Sequence, residues 1–294
     1  MATTGSANAV ADPNRLAARL MEGLPVTGRR LDVAGVATSL LEGGEGPPMV
    51  LVHGQGGFAE IMAPLVRMVV DRYRVVVPDL PGMGRSEVRS GTLDGPRVTE
   101  WLGELIAKTC DQPPIVLGGS MGGSIALRLA VARGRETRKV VLVDSGSLGR
   151  FLPPPSLLLA LMRFIRKPDR AGLARMQRQI FLDADRVRAQ AGERLEALED
   201  YQIDRANQPS VNAANRTLLR QVGTKQVPDE QLRKIEVPVA MIWGRQDRVM
   251  PYKYAERGSA RYGWPLYPIE DSGHLPFVEQ PAAFEASLRA ILEG

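Results

Sequence analysis

A serine flanked by glycines lies between an apolar run and a helix-forming run. Gly118, Ser120 and Gly122 form the pattern Gly-x-Ser-x-Gly, with Ile115-Val116-Leu117 before it and Ile125-Ala126-Leu127 after it. At a sharp turn from strand into helix the serine backbone is strained and crowded, and only glycines two positions away avoid a clash. Such a turn exposes the hydroxyl and directs the N–H groups of the helix N-terminus at it. The pattern predicts that Ser120 is a nucleophile, and the alternative is a serine that only caps the helix.

A serine hydroxyl needs a base within hydrogen-bond reach, and the chain has only two histidines. His274 follows the last predicted strand, in the loop Gly273-His274-Leu275. Loops that follow parallel strands gather at the carboxyl edge of a sheet, which is also the edge of the predicted serine turn. We therefore expect His274 to be the base and not an ordinary surface histidine.

The base needs a carboxylate that holds its tautomer and stabilises the imidazolium. Asp247 follows the preceding predicted strand, and it gives the chain order Ser, Asp, His that is typical of an α/β-hydrolase. Asp144 also ends a predicted strand at the same edge and is the rival. We favour Asp247 because its loop neighbours the histidine loop, and we expect Asp144 to be a structural hydrogen-bonding residue.

The other histidine, His53, opens a glycine-rich loop after a predicted strand. An oxyanion hole needs two N–H groups directed at the developing negative charge. We expect one from Met121, directly after the nucleophile, and the other from Gln55, with Gly54 or Gly56 as alternative donors. His53 is expected to orient this loop through a backbone hydrogen bond.

The overall composition sets limits on the class of protein. A chain of 294 residues can hold one large α/β domain with an inserted subdomain. Cys110 is the only cysteine, so an intramolecular disulfide is excluded, and we expect this thiol to be structural. The apolar runs fall short of the ~20 residues that a membrane span needs, and residues 1–13 do not resemble a signal peptide. A cytoplasmic location is expected.

The formal charge of +5 is unevenly distributed. Residues 150–225 contain 14 Lys or Arg and 8 Asp or Glu, a net charge of +6. The basic residues are interleaved with acidic ones and lack aromatic partners, so no nucleic-acid partner is expected. We interpret them as solvated helix faces, and the alternative is a field that attracts an anionic substrate.

Strand and helix patterns alternate along most of the chain. Two antiparallel strands are followed by buried strands that alternate with helices, which predicts a mainly parallel sheet with helices on both faces. The predicted strands are 30–33, 36–41, 49–52, 74–77, one directly before the serine turn, 139–143, 237–242 and 265–269. The predicted helices are 12–22, 59–70, 98–110, one directly after the serine turn, 252–261 and 282–292.

The alternation stops between about residues 148 and 227, where only helical patterns occur, with Asp169 and Ser210 as predicted helix caps. We therefore divide the chain into three parts. Residues 1–29 form an N-terminal tail with a short helix, residues 30–147 and 228–294 form the α/β core, and residues 148–227 form a helical cap. The apolar residues of 157–164 line an acyl pocket or, as the alternative, pack the cap.

The ordered set of motifs resembles the α/β-hydrolase superfamily. The set comprises His53-Gly54, Asp79-x-x-Gly82-x-Gly84-x-Ser86, Gly118-x-Ser120-x-Gly122-Gly123, Asp247 and Gly273-His274, and it spans essentially the whole chain after residue 30. The resemblance implies an α/β fold with an eight-stranded, mostly parallel sheet and a helical cap inserted after the sixth strand. It also implies that neither a cofactor nor a metal is needed.

Within the superfamily, Gly119-Ser120-Met121-Gly122-Gly123 and the segment 242–248 look like the meta-cleavage-product C–C bond hydrolases, and segment 167–173 does so more faintly. Those enzymes carry asparagine before the nucleophile and tryptophan after the histidine, where this chain has Gly119 and Leu275. The serine also differs from the aspartate nucleophile of epoxide hydrolases and haloalkane dehalogenases. We expect Gly54, Gly119 and Leu275 to border the substrate.

Our main hypothesis is a carboxylesterase-like serine hydrolase that acts on a small apolar or amphipathic ester through the triad Ser120, His274 and Asp247. The alternative is C–C hydrolysis of a 2-hydroxy-6-oxo-dienoic acid with the same triad, and the scaffold also allows haloperoxidase or perhydrolase activity. A ligand receptor or cyclase scaffold without hydrolytic turnover is the non-enzymatic alternative. A homodimer stays open.

Overall fold

A mixed β-sheet runs through the molecule. The computed structural model describes residues 20–151 and 153–294, so the predicted helix from Asp12 lies almost wholly outside the described residues. The strands of the sheet are β1 (Val26–Val33), β2 (Val36–Gly43), β3 (Pro48–Val52), β4 (Arg74–Pro78), β5 (Glu87–Val88), β6 (Ile115–Gly119), β7 (Lys139–Val143), β8 (Val239–Gly244) and β9 (Leu266–Ile269).

The strand order is β1-β2-β4-β3-β6-β7-β8-β9, with β5 paired to β2. β2 is antiparallel to β1, β4 and β5, and all the other pairs are parallel. The predicted eight-stranded, mostly parallel α/β fold is therefore confirmed. The sheet has one strand more than predicted. This extra strand, β5, has only two residues and is too short for a period-two pattern to reveal it.

Helices cover both faces of the sheet. The helices of the core are α1 (Ala63–Val69), α2 (Gly95–Thr109) and α3 (Met121–Arg133) before β8, with α10 (Lys253–Tyr262), α11 (Pro276–Glu279) and α12 (Pro281–Glu293) after it. Those between β7 and β8 are α4 (Pro155–Arg166), α5 (Arg170–Ile180), α6 (Ala184–Ala191), α7 (Glu193–Asn207), α8 (Pro209–Leu218), which runs into a π-turn (Leu219–Gly223), and α9 (Asp229–Leu232). No helix among the described residues is long and apolar enough to cross a bilayer.

The two faces of the sheet form two separate hydrophobic layers. Val50 and Val52 of β3 pack on the side of α2 and α3, whereas Met49 and Leu51 pack on the side of α1 and α12. All five residues of β3 are buried, because a parallel strand covered by helices on both faces needs apolar side chains at every position. Burial on both faces holds the carboxyl ends of β3, β6, β7 and β8 side by side.

The described residues between β7 and β8 form helices and no strand, and we call this segment the insertion. The division into cap and core at residues 148 and 227 stays a prediction. Asp169 caps α5 as predicted, since its carboxylate accepts from Gly172 N at 2.7 Å. The prediction that Ser210 is a cap is wrong, because α8 begins at Pro209 and its N-cap position is Gln208.

The apolar residues of α4 divide between two environments. Leu157 and Phe164 are buried against the rest of the molecule. Leu158, Leu159 and Met162 are 47%, 49% and 60% exposed, so these three do not line an enclosed acyl pocket. Packing thus accounts for the buried side chains of α4, whereas its outer face points to solvent.

Gly118 and Gly122, two residues either side of Ser120, lie where the backbone leaves no space for a side chain. A Cβ at Gly122 would lie 2.2 Å from Val52 O, whereas a Cβ at Gly119 would have Val143 O, at 4.0 Å, as its nearest neighbour.

We expect Gly122→Ala to lower the free energy of unfolding by at least ~2 kcal/mol, because backbone atoms must move to make room. Gly119→Ala is the matched control, with an expected change below about 1 kcal/mol. Urea unfolding measures both, and similar losses for the two variants would contradict the crowding.

Candidate active site

Ser120 lies at a strained turn between β6 and α3. Its backbone has φ 51° and ψ −118°, a conformation that residues with a Cβ rarely adopt. Neighbouring backbone groups hold the turn, since Ser120 N donates to Val143 O at 2.9 Å and Gly146 N donates to Ser120 O at 3.0 Å. The hydroxyl therefore projects from the carboxyl edge of the sheet and does not cap the helix through its side chain.

His274 and Asp247 complete a hydrogen-bonded row with Ser120. His274 Nε2 lies 3.0 Å from Ser120 Oγ, and His274 Nδ1 lies 2.8 Å from Asp247 Oδ2. The other carboxylate oxygen of Asp247 accepts from Val249 N at 2.7 Å and Met250 N at 2.9 Å. Because a carboxylate accepts, Nδ1 carries the proton, and Nε2 is left free to accept from the serine.

Asp144 is fully buried beside this row. Its Oδ1 accepts from Gly244 N at 2.9 Å, while Oδ2 has no hydrogen-bond partner among the described residues. Burial, followed by the nearby charge of Asp247, raises the pKa of Asp144 well above its usual range. The surroundings of Asp144 thus favour its protonated form, and only Asp247 of the two is hydrogen-bonded to His274.

One oxygen of Asp144, one of Asp247 and one ring nitrogen of His274 lie within 4.8 Å of one another, which raises the question of a metal. Two ligand atoms bound tetrahedrally to Zn²⁺ at ~2.1 Å stand roughly 3.4 Å apart. The separation of 2.8 Å between Asp247 Oδ2 and His274 Nδ1 is that of a hydrogen bond. The donor set therefore fits a proton between the two groups better than a metal ion.

The glycine loop after β3 passes directly over the serine. A Cβ at Gly54 would lie 3.0 Å from Ser120 Cβ, so a larger residue would press against the serine. His53 Nε2 accepts from Leu80 N at 3.0 Å, and Nδ1 therefore donates to Gly54 O at 2.9 Å. Burial lowers the pKa of His53, so the ring stays neutral and fixes the loop, in the orienting position expected for it.

Gln55 and Met121, the predicted N–H donors, belong to the two segments that adjoin Ser120. Gln55 is in the glycine loop, and Met121 is the first residue of α3 and is buried. Neither backbone N–H has an acceptor within the described part of the chain. Two unoccupied N–H groups next to the serine are what an oxyanion hole requires.

Two residues of the site were missed at the level of sequence. Asn215 of α8 binds the Gln55–Gly56 segment, and Glu279 of α11 binds the histidine loop. Glu279 Oε1 accepts from Gly273 N at 2.9 Å, and Oε2 accepts from Leu182 N of the insertion at 2.7 Å. Burial raises the pKa of Glu279. Neither residue belongs to a motif, so no signal in the sequence identifies them.

The two positions expected to border the substrate beside the serine and the histidine differ in their surroundings. Gly119 is buried in the last position of β6 with open space where a Cβ would stand. Leu275 is half-buried and packs against the hydrophobic layer on the α1 and α12 side. Neither supplies a side-chain hydrogen-bond donor. Their contact with a substrate stays a prediction.

A model of the alpha/beta hydrolase family matches residues 49–287, which is most of the chain. The chain belongs to the α/β hydrolase family. The match includes the serine turn, Asp247 and the histidine loop, and it ends within α12. The family resemblance expected from the motifs is therefore confirmed.

Relatives of this α/β hydrolase include proteins named as a dienoic acid hydrolase and as an ester esterase. A 2-hydroxy-6-oxo-6-(2'-aminophenyl)hexa-2,4-dienoic acid hydrolase of Metapseudomonas resinovorans is 26% identical over 87% of this chain and 87% of its own. A pimeloyl-[acyl-carrier protein] methyl ester esterase of Aeromonas salmonicida is 26% identical over 84% of this chain and 95% of its own. A carboxylesterase from Bacillus subtilis shares the fold, with a TM-score of 0.80, 16% identity and coverage of 95% and 96%. These proteins are hydrolases, and this chain is an enzyme of the same class.

The raised pKa of Asp144 predicts how the stability of this hydrolase changes with pH. The folded state keeps a proton that the unfolded chain loses above about pH 4, so the stability linked to this group falls as pH rises. Asp144→Asn needs no proton, and its side-chain oxygen can still accept from Gly244 N. We expect the variant to gain stability relative to the parent between about pH 5 and about pH 7.

Urea unfolding of parent and variant at several pH values measures this gain. Asp111→Asn is the matched control, because Asp111 is exposed. A stability difference for Asp144→Asn that is constant or shrinks as pH rises would show that Asp144 is ionised in the folded protein.

Proposed function

We propose that this α/β hydrolase is a serine esterase that cleaves a small carboxylic ester through Ser120, His274 and Asp247. The observation that carries the proposal is the continuous row from Ser120 Oγ to His274, at 3.0 Å, and from His274 to Asp247, at 2.8 Å. Each group in this row has the partner that its role needs, and the serine occupies a strained, projecting turn.

In the first half of the proposed reaction, His274 Nε2 takes the proton of Ser120 while Oγ attacks the acyl carbonyl. The carbonyl oxygen becomes an oxyanion, and the N–H groups of Met121 and Gln55 are the donors we assign to it. The tetrahedral intermediate collapses when the bond to the alkoxy group breaks and His274 returns the proton to it. An alcohol leaves, and the acyl group stays on Ser120.

In the second half, His274 takes a proton from water, and the hydroxyl attacks the acyl-enzyme. Collapse of the second intermediate releases the carboxylic acid and returns the proton to Ser120. Asp247 keeps the imidazole in the tautomer that both steps use and stabilises its charged form.

The choice of an ester over a C–C bond rests on the residues beside the serine and the histidine. C–C cleavage requires the protonation of a carbon centre next to the triad, and a polar substrate held there needs hydrogen-bond donors. Gly119 and Leu275 provide none from their side chains. The relatives do not decide between the two bonds, because an esterase and a dienoic acid hydrolase are equally similar to this chain.

Loss of the nucleophile tests the mechanism directly. We expect Ser120→Ala to lower kcat for an ester by several powers of ten, because nucleophile and base act as a unit, while the far-UV circular dichroism stays that of the parent. Asp247→Asn should lower kcat by about 10⁴-fold through the wrong imidazole tautomer. Initial rates with p-nitrophenyl butyrate measure both, and activity of Ser120→Ala within about tenfold of the parent would exclude the serine mechanism.

The substrate class is tested by competition between two bond types. We expect measurable turnover of short or medium p-nitrophenyl esters and at most weak cleavage of a 2-hydroxy-6-oxo-dienoic acid, because the donors for the second substrate are absent. The measured quantity is kcat/KM for each substrate on the same preparation. A higher kcat/KM for the dienoic acid than for every ester tested would make C–C hydrolysis the function.

A further inference from the structure

A single stretch of the insertion contacts both the glycine loop after β3 and the first residue of α3. Asn215 near the end of α8 contacts the Gln55–Gly56 segment, and the π-turn that follows α8 contacts Met121. These are the two segments that supply the predicted oxyanion N–H groups. Gln55 and Asn215 are 160 residues apart in the sequence, so tertiary packing brings them together and not their proximity along the chain.

The contact with the glycine loop consists of three hydrogen bonds to Asn215. Gln55 Nε2 donates to Asn215 O at 2.9 Å and to Asn215 Oδ1 at 3.1 Å, and Gly56 N donates to the same Oδ1 at 3.1 Å. The orientation of the Gln55 amide follows from its partners, because a rotated amide would set its oxygen against two acceptors. Asn215 therefore holds the side chain of Gln55 and the backbone N–H of Gly56, the residue that follows it.

The glycine loop has one internal hydrogen bond, from Gly57 N to Gly54 O at 3.2 Å. Gly54, Gly56 and Gly57 give it wide conformational freedom, and Gly56 has φ +67°. Within the protein core, His53 holds the loop through Gly54 O. From the insertion, Asn215 accepts the three hydrogen bonds of Gln55 and Gly56. The position of the Gln55 N–H therefore depends on where α8 lies.

The other side of the serine is contacted through the π-turn. A Cβ at Gly223 would lie 3.7 Å from Met121 Sδ, so the backbone of the turn packs against the side chain of Met121. α8 also rests on the core one residue before Asn215, since a Cβ at Gly82 would lie 2.4 Å from Ala214 Cβ. Single π-turns in helices are found frequently at functional sites.

We propose that Asn215 is a positioning residue that assembles the oxyanion hole by tying the glycine loop to the insertion. The inference rests on the proposed function, because it needs an oxyanion at the Gln55 and Met121 N–H groups. It goes beyond that function by making the placement of α8 a condition for catalysis: Asn215 acts through Gln55 and touches no substrate atom.

The test compares Asn215→Ala with Asn212→Ala, one turn earlier on the same helix. Asn212 is the matched control, because its amide donates to Ile165 O at 3.0 Å within the insertion. Loss of one oxyanion-hole donor costs roughly 10²–10³-fold in kcat, and a donor that is misplaced but present should cost about 10- to 100-fold. We expect that loss in kcat for Asn215→Ala with KM for a p-nitrophenyl ester within about threefold, and parent-like kcat for Asn212→Ala.

Inhibitor binding separates positioning from a merely structural role. An aryl trifluoromethyl ketone forms an oxyanion on Ser120, whereas the product carboxylic acid does not form this adduct. Asn215→Ala should weaken the ketone in proportion to its loss of kcat/KM and leave the affinity for the acid unchanged. The losses from Gln55→Ala and Asn215→Ala should also not multiply fully when the two are combined, because both remove the bond from Gln55 Nε2 to Asn215 Oδ1.

Several outcomes would overturn the inference. One is a kcat for Asn215→Ala within about threefold of that for Asn212→Ala, and another is equal weakening of the ketone and the acid. If Asn215→Ala unfolds, the comparison moves to Gln55→Ala, and an unchanged ketone affinity there also overturns it. Full activity of Ser120→Ala would instead remove the proposed function, so the two failures are distinct. The rate of Ser120 phosphonylation by a fluorophosphonate provides the same comparison without any ester turnover.

Discussion

The crowding where β6 turns into α3 is the constraint on which the rest of the structure depends. Ser120 has a positive φ because the strand, the helix and the end of β3 converge there, and Gly118 and Gly122 have backbone atoms where a side chain would stand. Burial of β3, β6 and β7 on both faces prevents the turn from relaxing. The strain therefore persists in the folded state, and it places the hydroxyl at the edge where the other loops meet.

The loops at that edge are held from two directions. From the core, His53 fixes the glycine loop through Gly54 O, and backbone N–H groups of residues 249 and 250 fix Asp247. From the insertion, Asn215 binds the glycine loop and Leu182 N binds Glu279, which in turn holds the histidine loop. The insertion is thus hydrogen-bonded to the loops that flank the serine on both sides. Its helices belong to the architecture of the site as much as the sheet does.

The sequence predicts most of the fold and the three residues of the row, for a physical reason. Strand and helix periodicity is local, and the carboxyl ends of parallel strands must share one edge, so Ser120, Asp247 and His274 can be placed together without a structure. The features that the sequence does not predict depend on contacts between distant segments. The bonds from Gln55 to Asn215 and the exposed face of α4 at Leu158 follow from how the insertion packs, which no periodicity encodes.

The central claim is that Ser120, activated by His274, is the nucleophile of this hydrolase. Reaction with a fluorophosphonate, followed by peptide mapping, tests it most directly, because the reagent reports the activated serine whatever the substrate is. We expect one stoichiometric adduct on Ser120, formed much more slowly in His274→Ala. No adduct on the folded parent protein, or an adduct on another residue, would contradict it.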